Sequence, residues 1–147
     1  MKHKAKMSAN CPYDLIAIDV DGTLLNSQKE LSLQNEEAVK AARESGALVS
    51  LVTGRSTFSL KPILERLGID QPYIGSGGAF IIDPAEDRII DYRPLDRPSL
   101  KILVSAARAQ KTAIFFYLPD AIYCEASPGA LEGWKSPGGY TPIQVKD

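Results

Sequence analysis

Two carboxylates two residues apart, Asp19 and Asp21, stand directly before Gly22 and Thr23. In an extended backbone, side chains at that spacing lean to the same side. At neutral pH the pair repels itself unless a cation or a proton relieves it. A hard divalent ion with oxygen ligands does so, and magnesium is the usual choice beside phosphate. Asp19 and Asp21 are therefore the candidate metal ligands. Gly22 permits a tight turn and leaves backbone N–H groups open to an anion. Thr23 offers a hydroxyl that can tie the turn together. The same letters also suit an Asx-type turn at a strand end, with Asp21-Gly22 as a plain turn dipeptide.

A second constellation, Thr53-Gly54-Arg55, follows another apolar run. Thr53 supplies a hydroxyl and Gly54 allows close backbone approach. Arg55 suits either a substrate anion or a neighbouring acid. The third is the glycine run IGSGGAFI at residues 74–81. Read alone it allows a nucleotide-binding fragment, against which stand Phe80 in place of the third glycine and the lack of a long helix after it. The sole histidine is His3, which argues against a histidine general base or a histidine-rich zinc site. Cys11 and Cys124 make no disulfide framework and lack metal-ligand spacing.

The elements that must position these groups alternate. Tyr13 to Val20 (YDLIAIDV) reads as a strand buried on both faces, with Asp19 at its carboxyl end. Ser32 is placed to cap a helix that closes at Gly46. Ala47 to Val52 is a second buried strand, Ser59 to Leu67 a second helix, and Pro72 to Ile74 a third strand. Pro62 fits that helix if it lies in the first turn. Strand, helix, strand, helix, strand at these intervals predicts a parallel sheet with right-handed crossovers. Open sheets of this kind place ligands at the carboxyl ends of their strands. Beyond Ala79 the pattern changes. A hairpin (Phe80 to Ile82, Ile89 to Tyr92), a helix from Ser99 to Ala109 and two strands (Thr112 to Leu118, Ala121 to Glu125) predict a separate small α+β unit. Phe115, Phe116 and Tyr117 read there as core. Ser127 to Pro142, rich in Gly and Pro, reads as loop, with Trp134 as an anchor or a pocket residue.

LIAIDVDGTLL at residues 15–25 resembles the signature of the haloacid dehalogenase superfamily. LVTGR (51–55) and the glycine run are similar to its Cof-like branch, an α/β-capped group of phosphatases. The resemblance implies an α/β fold: a partial Rossmann-like parallel sheet with the start of an inserted α+β cap. It divides the chain into a tail (1–12), the N-terminal half of the core (13–82) and a partial cap (83–147). It implies that Asp19 attacks phosphorus to form an aspartyl-phosphate. Asp21 would protonate the leaving oxygen and then deprotonate water. Mg²⁺ would sit on the Asp19 carboxylate and the Asp21 main-chain carbonyl. Gly22, Thr53, Gly54 and Arg55 would line the phosphate and substrate site. Gly77 stands where the family has an asparagine.

The family's later lysine and acidic motifs do not occur in these 147 residues. The expectation is thus a phosphatase for small phosphorylated metabolites such as sugar phosphates. The alternative is an incomplete fragment acting at most as a phosphate-binding or interaction module. Without strands on its other side, LIAIDV would present an apolar edge open to self-association. With 17 basic and 18 acidic side chains the chain shows no electrostatic case for nucleic acid. No apolar run reaches membrane-spanning length. The basic start lacks the apolar centre of a signal peptide, so a cytoplasmic location is expected.

Overall fold

The computed structural model describes residues 12–119, 121–127, 129–131 and 140–145. The first strand, β1 (Leu15–Ile18), pairs in parallel with β2 (Leu48–Leu51), setting Leu15 beside Leu48 and Ile18 beside Leu51. Between them runs α1 (Leu33–Glu44), capped as the sequence predicts: the Ser32 hydroxyl accepts from the Asn35 N–H at 3.1 Å. Next, α2 (Thr57–Leu67) leads to β3 (Tyr73–Gly75), and a parallel contact of Val52 with Ile74 continues the order β1-β2-β3. Both strands are shorter than predicted. Val20 leaves the ladder because its carbonyl accepts the Leu25 N–H at 2.8 Å in the turn beyond β1.

Alternation decides what is buried. Val49 and Leu51 of β2 face a core that contains Val39 of α1 and Leu60, Leu64 and Leu67 of α2. Leu15, Leu48 and Val52, on the opposite parity, stay exposed. Among the described residues β1 has β2 as its one strand neighbour.

The helix α2 starts two residues earlier than predicted, which moves Pro62 out of the first turn. A proline there has no N–H for the carbonyl four residues back, that of Phe58. The Tyr140 hydroxyl donates to this carbonyl at 2.9 Å, and its ring lies 4.9 Å from that of Phe58. A buried or half-buried helix tolerates proline when another donor satisfies the orphaned acceptor.

After β3 the chain turns antiparallel. β4 (Phe80–Asp83) pairs with β3, and β5 (Arg88–Tyr92) pairs with β4 across a bulge at Ile81/Ile82. Then α3 (Arg97–Ala109) begins earlier than its apolar spacing suggested, because the Asp96 carboxylate accepts the Ser99 N–H at 2.7 Å and Pro98 sits in the first turn. The hairpin of β6 (Ile114–Tyr117) and β7 (Ile122–Glu125) closes through the Leu118 N–H to the Ala121 carbonyl at 2.9 Å. A short strand that the sequence did not announce, β8 (Ile143–Gln144), adds to β7 in parallel. Cys124 is a buried free thiol, in keeping with the small apolar role read from the sequence. Residues 1–11 of the tail, including His3 and Cys11, and Trp134 lie outside the described residues.

The Thr57 hydroxyl, at the start of α2, donates to the Pro119 carbonyl beyond β6 at 3.1 Å. The Tyr140–Phe58 contact adds to it. Replacing Tyr140 by Phe should lower unfolding free energy by about 1 kcal/mol. In a Pro62→Ala background the loss should shrink, since a helical N–H then reaches Phe58. Urea unfolding of the four proteins in this double-mutant cycle checks the coupling.

Candidate active site

The carboxyl ends of β1 and β2 lie side by side because the strands are parallel neighbours, and both predicted constellations follow those ends. The turn after β1 is held by main-chain bonds, Leu24 N–H to the Asp19 carbonyl at 3.1 Å and Leu25 N–H to that of Val20. The Thr23 hydroxyl, expected to tie this turn, is exposed and enters no hydrogen bond found among the described residues. The Leu24 carbonyl is anchored instead by the Asn35 side-chain amide at 2.8 Å. Gly22 has φ +77°, and a Cβ there would meet nothing within 4 Å. Its glycine answers a backbone requirement, not crowding.

Asp21 and Arg55 meet across this gap. Arg55 Nε donates to Asp21 Oδ2 at 2.8 Å and Nη2 donates to Oδ1 at 2.9 Å, a two-pronged fork. Lys29 Nζ adds a third bond, to Oδ1 at 2.7 Å. These cations hold the Asp21 carboxyl well below the usual carboxylate range, Arg55 contributing most and Lys29 next. The pairing raises the Arg55 value in turn.

Lys29 was not singled out from sequence, since no motif letter marks it. A hairpin puts it there. Leu25 bridges Leu31, and the Asn26 side-chain oxygen accepts the N–H groups of Gln28 and Glu30, both at 2.9 Å. The Lys29 backbone is driven to φ +64°, a left-handed conformation that a lysine seldom adopts.

Thr53 is buried, and each of its polar atoms has a defined place. Its N–H donates to the Ile74 carbonyl, its carbonyl accepts from Gly77, and its hydroxyl oxygen accepts the Arg55 N–H at 3.2 Å. The hydroxyl proton remains to be donated. At Gly54 a Cβ would meet open space, so the main chain there is approachable. Ser76 N–H donates to the Arg55 carbonyl at 2.8 Å, which sews the glycine run onto the same loop. Gly77, at φ +66° with free space around a Cβ, has the backbone that asparagine also tolerates.

Oxygen ligands for a cation are partly assembled. The Asp19 carboxylate is exposed and, among the described residues, enters no side-chain hydrogen bond or ion pair. The Asp21 carboxylate is occupied by the two side-chain cations, which leaves its main-chain carbonyl as the donor it can offer. No group of three or more His, Cys, Asp or Glu side chains able to hold a metal occurs among the described residues. The set fits a hard cation that draws its other ligands from water or phosphate.

Asp21, Lys29, Gly54 and Arg55 form one end of a cleft of about 1150 Å³. Its other walls come from β5, the segment before α3, and β6. Phe115, Phe116 and Tyr117, expected as core of the second unit, line this cleft. The hairpin is too thinly covered to enclose them.

An acidic pair at the end of a parallel strand, with threonine and arginine from the next loop, narrows the field, and comparison with known proteins decides it. Residues 16–141 match the haloacid dehalogenase-like hydrolase family. The chain belongs to that family. Phosphatase YwpJ of Bacillus subtilis is 38% identical over 109 residues, covering 74% of this chain and 38% of that protein. The same organism's 5-amino-6-(5-phospho-D-ribitylamino)uracil phosphatase YwtE is 37% identical over 105 residues, 71% of this chain and 36% of that protein. A solved haloacid dehalogenase-like hydrolase from B. subtilis superposes with a TM-score of 0.66 at 38% identity, over 75% of this chain and 38% of that one. The chain thus spans well under half the length of these relatives.

Three substitutions probe the site. Arg55→Ala should raise the Asp21 carboxyl toward the ordinary carboxylate range, and Lys29→Ala should raise it less. Carboxyl chemical shifts followed against pH read this directly. Because the wild-type value is depressed, the stabilisation from this pair is present above the unfolded-state value and fades as pH falls below it. Gly77→Asn should change unfolding free energy by less than about 1 kcal/mol, since the left-handed backbone suits asparagine and nothing crowds the side chain.

Proposed function

We propose that this chain carries the nucleophile and phosphate-binding part of a magnesium-dependent phosphatase for small phosphorylated metabolites. The observation that carries this is the exposed, unencumbered Asp19 carboxylate at the end of β1, with the Thr53 hydroxyl and the Arg55 cation on the loop after the neighbouring strand and the Lys29 cation on the hairpin after β1. Asp19 would attack phosphorus and form an aspartyl-phosphate, splitting one displacement into two. The Asp19 carboxylate and the Asp21 carbonyl would hold Mg²⁺, which would supply charge to offset that on the phosphoryl oxygens. Thr53 donates its hydroxyl proton to one of those oxygens, and Gly22 and Gly54 leave main chain open beside them. A phosphate dianion competes with Asp21 for Arg55 and Lys29. As those cations turn to phosphate, Asp21 would take up a proton from solvent, pass it to the leaving oxygen, and in the second step take one from the attacking water.

YwtE is named for a phosphate ester on a sugar-alcohol chain, which supports a phosphorylated metabolite or cofactor precursor as the substrate class here. Such substrates and the chain's reducing-type cysteine usage suit the cytoplasm. A second reading rests on the incomplete ligand set: the chain binds phosphate but does not turn it over by itself. The free edge of β1 suits pairing with another strand, so self-association is part of this proposal.

With 4-nitrophenyl phosphate and Mg²⁺, Asp19→Asn should reduce hydrolysis at least 10³-fold, on the order of the loss seen when a covalent nucleophile is removed. Circular dichroism should show an unchanged fold. Hydrolysis that survives the substitution removes Asp19 from the nucleophile role. Phosphate binding without hydrolysis in the unmodified chain establishes the second reading.

A further inference from the structure

We infer that the cleft selects phosphate monoesters whose leaving group carries a flat, unsaturated ring, and disfavours those carrying only a polyhydroxylated sugar. This rests on the phosphate-site reading above and concerns the wall opposite it. From the cationic end at Arg55 the cleft runs past Tyr92, Leu95, Phe115, Phe116 and Tyr117. Tyr92 is 59% exposed, Leu95 63% and Tyr117 44%, so the faces of these three side chains are not consumed by packing. They come from three separate parts of the chain: the end of β5, the segment leading to α3, and β6. Their convergence on one cavity is a property of the fold, not of a local run of sequence.

The polar side of the account points the same way. A sugar brings several hydroxyls, and each needs a partner when it leaves water. Away from the phosphate end the wall offers few. Ser56 is buried with its hydroxyl directed to Ser59 at 3.5 Å. Arg93 lies near Asp91, with 3.9 Å between the charged groups. Besides the Arg93 guanidinium, the remaining polar side chains there are the Ser76 hydroxyl and the two tyrosine hydroxyls. A flat ring asks for none of these. It stacks on or against the edges of the aromatic side chains while its phosphate reaches the cations. Two such ring contacts correspond to roughly a tenfold gain in affinity.

The test is calorimetric titration of the 147-residue protein, in Mg²⁺, with inorganic phosphate, glucose 6-phosphate and phenyl phosphate. Phenyl phosphate should bind about tenfold more tightly than glucose 6-phosphate. Tyr92→Ala and Tyr117→Ala, both at exposed positions, should each shrink that ratio, and the double variant should bring it near one. Thermal melts verify that the variants fold. Equal binding of the two esters, or a preference that persists in the double variant, overturns the inference while inorganic phosphate binding leaves the phosphate site standing. Failure of all three ligands to bind removes the phosphate site and this inference together.

Discussion

A guanidinium fork on one carboxylate is the contact on which the arrangement at the sheet end depends. Arg55 lies on the loop after β2 and Asp21 in the turn after β1, so their pairing fixes two loops that no ladder bond joins. The Arg55 side chain is 16% exposed and that of Asp21 is 37% exposed. Removing Asp21 would leave the largely covered Arg55 guanidinium without its partner, and a two-pronged contact is among the stronger ways to satisfy it. The fork also orients the Arg55 backbone, whose N–H meets the Thr53 hydroxyl and whose carbonyl meets Ser76. One ion pair thereby positions a threonine hydroxyl, a glycine loop and an acidic turn relative to each other.

Much of this was readable from residues alone. Asp-x-Asp-Gly-Thr at the end of an apolar run located the acidic pair, and the next strand-helix unit located Thr53 and Arg55. Ser32 behaved as a cap because its oxygen could reach an N–H three residues on, which is a local property. What escaped notice was set by non-local contact. Lys29 acts through a hairpin whose geometry comes from Asn26 and a Leu25–Leu31 bridge, and eight residues separate it from Asp21. Spacing on a helix or strand cannot announce such a pair. Pro62 could be accommodated deeper in α2 than its own chemistry suggested, because Tyr140, far along the chain, supplied the missing donor. Phe115 to Tyr117 looked like core since aromatic runs usually are. Only the packing shows that these rings line a cleft.

The cations at Asp21 make opposing demands. While Arg55 and Lys29 hold it, Asp21 stays a carboxylate, the form that accepts a proton. Donating one requires that they be drawn elsewhere, and the species able to draw them is an anion entering the same end of the cleft. A doubly charged phosphate at equal distance attracts each group more strongly than a single carboxylate does. The resting contact is therefore well matched to its rival: tight enough to order the loops, yet composed of bonds a phosphate can replace in kind. A neutral partner in place of Asp21 would order the loops less well, and a hydrocarbon contact would leave the cations nothing to exchange. The lysine's left-handed backbone fits this logic, since a residue held against its own preference is aimed before any ligand arrives.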